Sequence, residues 1–241
     1  CQLNQEQLSK ALFPIGHLEK SEVRKIASEA GLSTAEKKDS QGLCFIGKVK
    51  LPEFLQQQLK PKKGDIIEID QEHPLFKANK EFNKDNSSLE ALKSLSQNYI
   101  YTPEIGEKVG EHNGAHYFTI GQRKGINVGG KVEPLFVIDT DTKNNTIYVG
   151  QGTNHKGLFR PGLKVPNSDI HWVRDDLKLS IGETLDVKSR IRYRQPLEQA
   201  TLHQKEDGLY IIFEHDQRGI APGQFVAWYL DDELLGSGII S

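Results

Sequence analysis

The stretch Asp39-Ser40-Gln41-Gly42-Leu43-Cys44-Phe45-Ile46-Gly47 sets a thiol between a polar glycine turn and a short apolar run. Only two cysteines occur in the 241 residues, and the other is Cys1. Thiolate is the nucleophilic form of cysteine, and nearby cations or free backbone N–H groups raise its population. Lys37, Lys38 and Lys48 are close in sequence, and Ser40-Gln41-Gly42 can turn the backbone so that amides face the sulfur. On residue chemistry alone two readings stand. Cys44 is a nucleophile, or it packs as a small hydrophobe within a buried Leu43-Cys44-Phe45-Ile46 strand. Cys1 has no comparable surroundings, so no dithiol pair is expected within the chain.

A second group is Lys188-Ser189-Arg190-Ile191-Arg192-Tyr193-Arg194-Gln195-Pro196. On a strand, Lys188, Arg190, Arg192 and Arg194 would share one face, with Ser189, Ile191 and Tyr193 on the other. Four like charges in a row repel one another unless something anionic lies across them. The phosphates of a nucleic acid would suit, with Tyr193 as a stacking or packing residue. A solvated face laced with carboxylates from a neighbouring strand explains the run equally well. The third group, Thr119-Ile120-Gly121-Gln122-Arg123-Lys124-Gly125, is a tight basic turn suited to phosphate, but Gly-x-x-x-Gly outside a βαβ unit is a weak nucleotide cradle. His112 and His116 are separated by Gly114 and have no evident third ligand, so no metal site is expected. P-loop, dinucleotide and serine-hydrolase signatures are absent from the sequence.

Composition bounds these readings. With 31 basic and 33 acidic residues the formal net charge is −2, so nucleic-acid binding has to come from a local patch. No apolar run approaches membrane-spanning length and the first residues do not read as a signal peptide. Together with the cysteine count, this predicts a soluble, cytoplasmic protein with no membrane partner. The lack of any methionine, an initiator included, marks the chain as a segment of a longer one.

The elements that must position these residues change character along the chain. Asn4-Gln5-Glu6-Gln7 resembles a capping box and starts a short helix before Pro14. From Leu18 to Ala30, Val23, Ile26, Ala27 and Ala30 follow helical spacing, and Gly31 marks the stop. Leu51 to Lys60 reads as a third helix opened by Pro52. Between about 68 and 103 the pattern dissolves into Lys, Asn, Glu and Ser with one weak helical patch at Leu89, Leu92 and Leu95, which reads as an exposed insertion. Beyond Gly106 the texture is β. Leu135–Asp139 and Thr146–Val149 form a hairpin around 141–145, and runs at 185–193, 200–203, 209–213, 225–230 and 234–240 indicate a closed or nearly closed barrel. The expected fold is α+β, mainly β, in three parts: a helical segment over 1–50 carrying the Cys44 loop, a small central β-rich domain over 51–152, and a C-terminal β-barrel over 153–241.

"FPIGHLEKSEVRKIASEAGL", "KKDSQGLCFIG", "YFTIGQRKGINVGG", "IRYRQP" and "APGQFVAW", in this order, resemble the tRNA-specific 2-thiouridylase family. The resemblance implies replacement of the 2-oxygen of the wobble uridine of certain tRNAs by sulfur, with ATP, and Mg with it, activating that oxygen. It implies an ATP-pyrophosphatase domain, of which 1–50 would be a remnant, then a central domain and a barrel like the second domain of elongation factors. By the same match Cys44 would be the cysteine persulfide, charged by a sulfur-donor protein. A second cysteine of the N-terminal domain would then resolve the intermediate as a disulfide. Arg192, Tyr193 and Gln224 would contact tRNA. The family's Ser-Gly-Gly-x-Asp-Ser ATP loop and partner cysteine have no counterpart in this sequence, so the chain alone is expected not to complete the reaction. The alternative is a stand-alone RNA-binding module in which Cys44 is structural.

Overall fold

The computed structural model describes residues 1–37, 59–76, 87–193 and 195–241. Cys44, Lys38, Lys48, Arg194 and the helix expected from Leu51, apart from Leu59 and Lys60, lie outside the described residues. The chain divides into two compact units, Gln5–Lys60 and Cys1–Asn4 with Pro61–Ser241.

The first unit holds helix α1 (Gln5–Ser9) and helix α2 (Lys20–Glu29). Glu19 caps α2 in a reciprocal box with Glu22, whose carboxylate accepts the Glu19 N–H at 2.8 Å. At the other end Gly31 takes φ 67°, and the N–H groups of Gly31 and Leu32 return to the carbonyls of Ser28 and Ala27. That is the Schellman termination which a glycine makes inexpensive. Neither helix buries a residue among those described.

In the second unit a four-stranded sheet is ordered β2-β1-β4-β3, from β1 (Gly64–Glu68), β2 (Glu107–His112), β3 (Leu135–Asp141) and β4 (Thr146–Gln151). The expected hairpin is β3–β4, and β1 adds to it parallel to β4. Both faces are covered. Ile66, Val137, Ile147 and Val149 pack on one side, and Ile67, Phe136, Ile138 and Tyr148 on the other. Burial on both faces explains why these strands are apolar runs rather than alternating ones.

The second sheet has seven strands: β5 (Phe159–Val165), β6 (Ile170–Trp172), β7 (Thr184–Arg190), β8 (Glu198–Lys205), β9 (Gly208–Arg218), β10 (Phe225–Leu230) and β11 (Glu233–Ile239). Their order is β5-β9-β8-β7-β10-β11-β6. The sheet curls until its far sides meet, and the Ser241 N–H donates to the Lys164 carbonyl of β5 at 3.0 Å. Leu202, Leu209, Ile211, Phe213, Val226 and Trp228 fill the interior. The fold is thus α+β and mainly β, with a curled sheet approaching a barrel.

The weak helical patch is a helix, α3 (Leu89–Ser96), whose Ser88 side chain caps the Ala91 N–H at 3.3 Å. Composition predicts an exposed segment here, and the structure corrects this. Ala91, Leu92 and Leu95 are buried, and the leucines pack on Tyr210 and Ile212, the outward residues of β9. Residues 77–86 of that stretch lie outside the described residues.

His155 anchors the connection between the sheets. Its Nδ1 accepts from the Gly157 N–H at 3.1 Å, so the proton sits on Nε2 and donates to the Ile69 carbonyl at 3.0 Å. Burial is the main cause that holds its pKa below the ordinary histidine value. An unfolded chain therefore takes up the proton first as pH falls through about 6.5, and the His155 contribution, complete above that, is lost toward the folded pKa.

Two outcomes follow for stability. Leu95→Ala should cost about 2–4 kcal/mol in urea unfolding, while Ile100→Ala, at a side chain 78% exposed, should stay within about 0.5 kcal/mol. An equal effect would mean that α3 is not docked. Between about pH 6.5 and 5, His155→Gln should lose stability less steeply than the parent, and an unchanged slope would remove His155 from the account.

Candidate nucleic-acid interface

The connection between β7 and β8 begins where pairing requires it. Ser189 pairs with Glu198, so residues 190–197 must return the chain, and Pro196 has no N–H to offer a ladder. Val187, Ser189 and Ile191 are buried while Lys188 and Arg190 take the outer side, as alternation expects up to that point. Strand β7 ends at Arg190, and of the expected four-cation stripe it carries Lys188 and Arg190. Arg192 and Tyr193 stand in the connection, not on the strand.

Arg190 is consumed locally. Its Nη2 donates to the Tyr229 hydroxyl at 2.9 Å and its Nη1 to the Tyr193 carbonyl at 3.1 Å. The guanidinium lies 5.2 Å from the Tyr229 ring centre and 5.5 Å from that of Tyr193. This fixes Tyr193 at its root, yet the residue remains 84% exposed. A large ring held in place and left in water is a platform for stacking.

Arg192 Nη2 donates to the Gly219 carbonyl at 2.7 Å. Burial of the guanidinium first, and the charge of Arg218 second, hold its pKa below the ordinary arginine value. Gly219 has φ 72°, and a Cβ there would stand 2.8 Å from Arg192 Nη2. The neighbouring Ile220 carbonyl accepts from Arg160 Nη2 at 3.0 Å. Arg160 is buried, its Nη1 donates to the Ser96 carbonyl at 3.1 Å, and desolvation pushes its pKa down to about 10. Two arginines thus clamp consecutive carbonyls of the β9–β10 connection.

That connection carries Gln224. Its backbone is fixed by the Ile240 N–H donating to the Gln224 carbonyl at 2.9 Å and by the Gly223 N–H donating to the Ile240 carbonyl at 2.8 Å. The Gln224 Oε1 is buried without a hydrogen-bond partner. A buried orphan acceptor costs about 1–3 kcal/mol, which is tolerable where something else is to donate to it. Because β7 runs antiparallel to β10 with Arg190 opposite Ala227, the residues that follow β7 and the residue that precedes β10 lie beyond the same end of the pair. Arg192, Tyr193 and Gln224 therefore share one end of the β7–β10 pair. Cys44 lies outside the described residues.

Sequence reading missed Arg160 and Arg218. Arg160 shares β5 with Lys164, and nothing in the sequence tells which of the two cations is the buried tie. Arg218 follows Glu214-His215-Asp216-Gln217, so its stretch has a formal net charge of −1 and does not look like a cation site. Among the described residues no group of three His, Cys, Asp or Glu is arranged to hold a metal ion, and no helix is long and apolar enough to cross a membrane.

Three family models match in succession: a tRNA methyl transferase HUP domain over residues 1–48, a tRNA methyl transferase PRC-barrel domain over 88–151 and an aminomethyltransferase beta-barrel domain over 164–240. Curated relatives match the whole chain. A tRNA-specific 2-thiouridylase MnmA of Flavobacterium johnsoniae is 61% identical over 241 residues, and that of Christiangramia forsetii is 58% identical. In both cases 100% of this chain and 60% of the relative are covered. A Streptococcus thermophilus relative of the same name is 41% identical, with 99% and 54% covered. The chain belongs to the tRNA-specific 2-thiouridylase family, and spans about 60% of the length of the first two relatives.

Gly219→Ala tests the clamp. The left-handed backbone alone costs an alanine about 1–2 kcal/mol, and the new methyl displaces Arg192 from its carbonyl. A fall of that size in unfolding free energy is expected, and no loss would show that the loop is not held there.

Proposed function

We propose that this chain is the tRNA-binding and sulfur-carrying part of a tRNA 2-thiouridylase, which transfers sulfur to C2 of the wobble uridine. The observation that carries the reading is the meeting of Arg192, Tyr193 and Gln224 at one end of the curled sheet: an anchored cation, an exposed ring and an unpartnered amide oxygen. Cation to phosphate, ring to base and amide to a polar edge is the contact set a splayed RNA strand needs. The relatives' names supply the substrate class.

Cys44 carries the terminal sulfur in this reading, loaded by a persulfide-donor protein. On delivery a bond forms between the terminal sulfur and C2, and the 2-oxygen leaves. The S–S bond then breaks as a second thiol takes the Cys44 sulfur into a disulfide, which balances the two electrons that reduce the transferred sulfur. ATP, with Mg, would activate the departing oxygen. No stretch of this chain reads as its binding loop, so the fit to that group is absent from these residues. Such chemistry is cytoplasmic, where thiols are kept reduced.

The test pairs mass spectrometry with RNA binding. After incubation with a persulfide donor, the Cys44 peptide should gain one reducible sulfur and the Cys1 peptide none, and Cys44→Ser should gain none. Tyr193→Ala and Gln224→Ala should each weaken tRNA binding about five- to fiftyfold, the range of one stacking or hydrogen-bond contact, without lowering the melting temperature. Binding that survives both changes would leave the ring and amide without a role. An unmodified Cys44 with intact tRNA binding would favour the RNA-binding module.

A further inference from the structure

The basic turn Gly121-Gln122-Arg123-Lys124-Gly125 stands apart from the residues assigned above. It is rigid where it meets the sheet, because the Gly121 N–H donates to the Val137 carbonyl at 2.7 Å and the Val137 N–H to the Gln122 carbonyl at 2.9 Å. The Gln122 side chain closes it, accepting from the Thr119 N–H at 3.2 Å and donating to the Lys124 carbonyl at 2.8 Å. With Gln122 so occupied, Arg123 and Lys124 are left exposed at the tip.

Arg218 joins this turn to the candidate interface. Its guanidinium lies 5.1 Å from the Phe136 ring centre, and its Nη1 is 3.6 Å from the point where a Cβ on Gly121 would stand. Consecutive Cα atoms are about 3.8 Å apart, so the Arg123 backbone starts within about 8 Å of that glycine. On its other side, Arg218 is close enough to Arg192 to depress the latter's pKa, and Arg192 holds the carbonyl of the very next residue, Gly219.

Some cations elsewhere in the unit are paired with carboxylates, while Lys143, Lys178, Lys188 and Lys205 have none within 4.0 Å among the described residues. Lys131 lies against Glu68, Lys108 against Asp65, Lys164 against Asp207, and Arg174 against Asp176 and Glu233. Among the described residues no carboxylate lies within 4.0 Å of Arg123, Lys124, Arg192 or Arg218. What sets Arg123, Lys124, Arg192 and Arg218 apart is that they are neighbours with no carboxylate between them, so their charges add toward an anion from outside.

The geometry points to a continuous phosphate-binding track, Arg123–Lys124–Arg218–Arg192, that extends the RNA contact from the curled sheet onto the four-stranded sheet. Its ligand is the ribose-phosphate backbone of RNA. Long exposed side chains on a fixed turn suit phosphates, which position a nucleic acid without reading its bases. This inference rests on the RNA-binding reading above, and its test separates the two.

The experiment is fluorescence anisotropy of the chain with a labelled tRNA transcript across a salt series, for the parent, Arg123→Ala with Lys124→Ala, Arg218→Gln, and Arg192→Ala. Removing one cation from a phosphate lowers the magnitude of the log affinity against log salt slope by about 0.7–0.9. The double variant should therefore flatten the slope by about 1.5, so that a fourfold rise in salt weakens it roughly eightfold less than the parent. Both replaced side chains are exposed, and an unchanged melting curve certifies the fold. Arg218→Gln should flatten the slope by about half as much. If Arg192→Ala weakens binding while the Arg123, Lys124 and Arg218 variants keep the parental slope, the track is overturned and the interface at Tyr193 stands. If the parent itself shows no salt-dependent tRNA binding, the RNA-binding reading fails and the track with it.

Discussion

Two consecutive carbonyls, Gly219 and Ile220, are each taken by a guanidinium, and the candidate interface depends on that double clamp. Arg192 approaches from the surface and Arg160 from within, where its other arm holds the last turn of α3 through Ser96. The β9–β10 connection would otherwise be an ordinary loop with freedom to move. Clamped at its start and tied to Ile240 beyond Pro222, it holds Gln224 in a fixed place at the end of the β7–β10 pair from which Arg192 and Tyr193 leave. Burying the Arg160 charge is expensive, and desolvation shows in its lowered pKa. Hydrogen bonds to two carbonyls, and the nearby Asp139, offset that cost without removing it.

Which parts of this were legible in the sequence follows from how local each signal is. The β3–β4 hairpin was readable because its apolar runs and its 141–145 turn are contiguous, and Asp141 Oδ1 does accept the Lys143 and Asn144 N–H groups at 2.9 Å each. Helix α2 was readable for the same reason, with its stop signal one residue beyond its cap. By contrast α3 looked like part of an exposed insertion because the surface that buries it, Tyr210 and Ile212, lies over a hundred residues away. Strand periodicity shows that β9 has two apolar faces but cannot say which helix covers the outer one.

The cation run obeys a different limit. Alternation described 187–190 correctly and failed beyond 191, because a strand ends where its partners end, and β8 resumes only at Glu198. What remained of the stripe was divided by local chemistry: Arg190 went to two tyrosines, Arg192 to a carbonyl. Type and spacing drew attention to Arg192 and Tyr193 before any family resemblance, whereas Gln224 was singled out only through that resemblance, since a lone glutamine carries no chemical signal in sequence. Its distinguishing feature is an unpartnered buried oxygen, which only the fold reveals.

On the proposed RNA-binding reading, charge and stacking would divide the work of holding RNA along physical lines. Interaction between exposed cations and phosphates is long-ranged and fades with salt over about 8–10 Å, so it governs encounter and overall affinity. The contacts proposed for Tyr193 and Gln224 would act only at van der Waals and hydrogen-bond distance, and salt would leave them nearly untouched. Arg190 stands between the two classes. Its charge is spent on the π faces and hydroxyl of the tyrosines, which removes it from the competition for phosphate and converts it into rigidity for the Tyr193 platform. Had Arg190 been free, the same end of the sheet would attract polyanions more strongly and hold a particular strand less firmly.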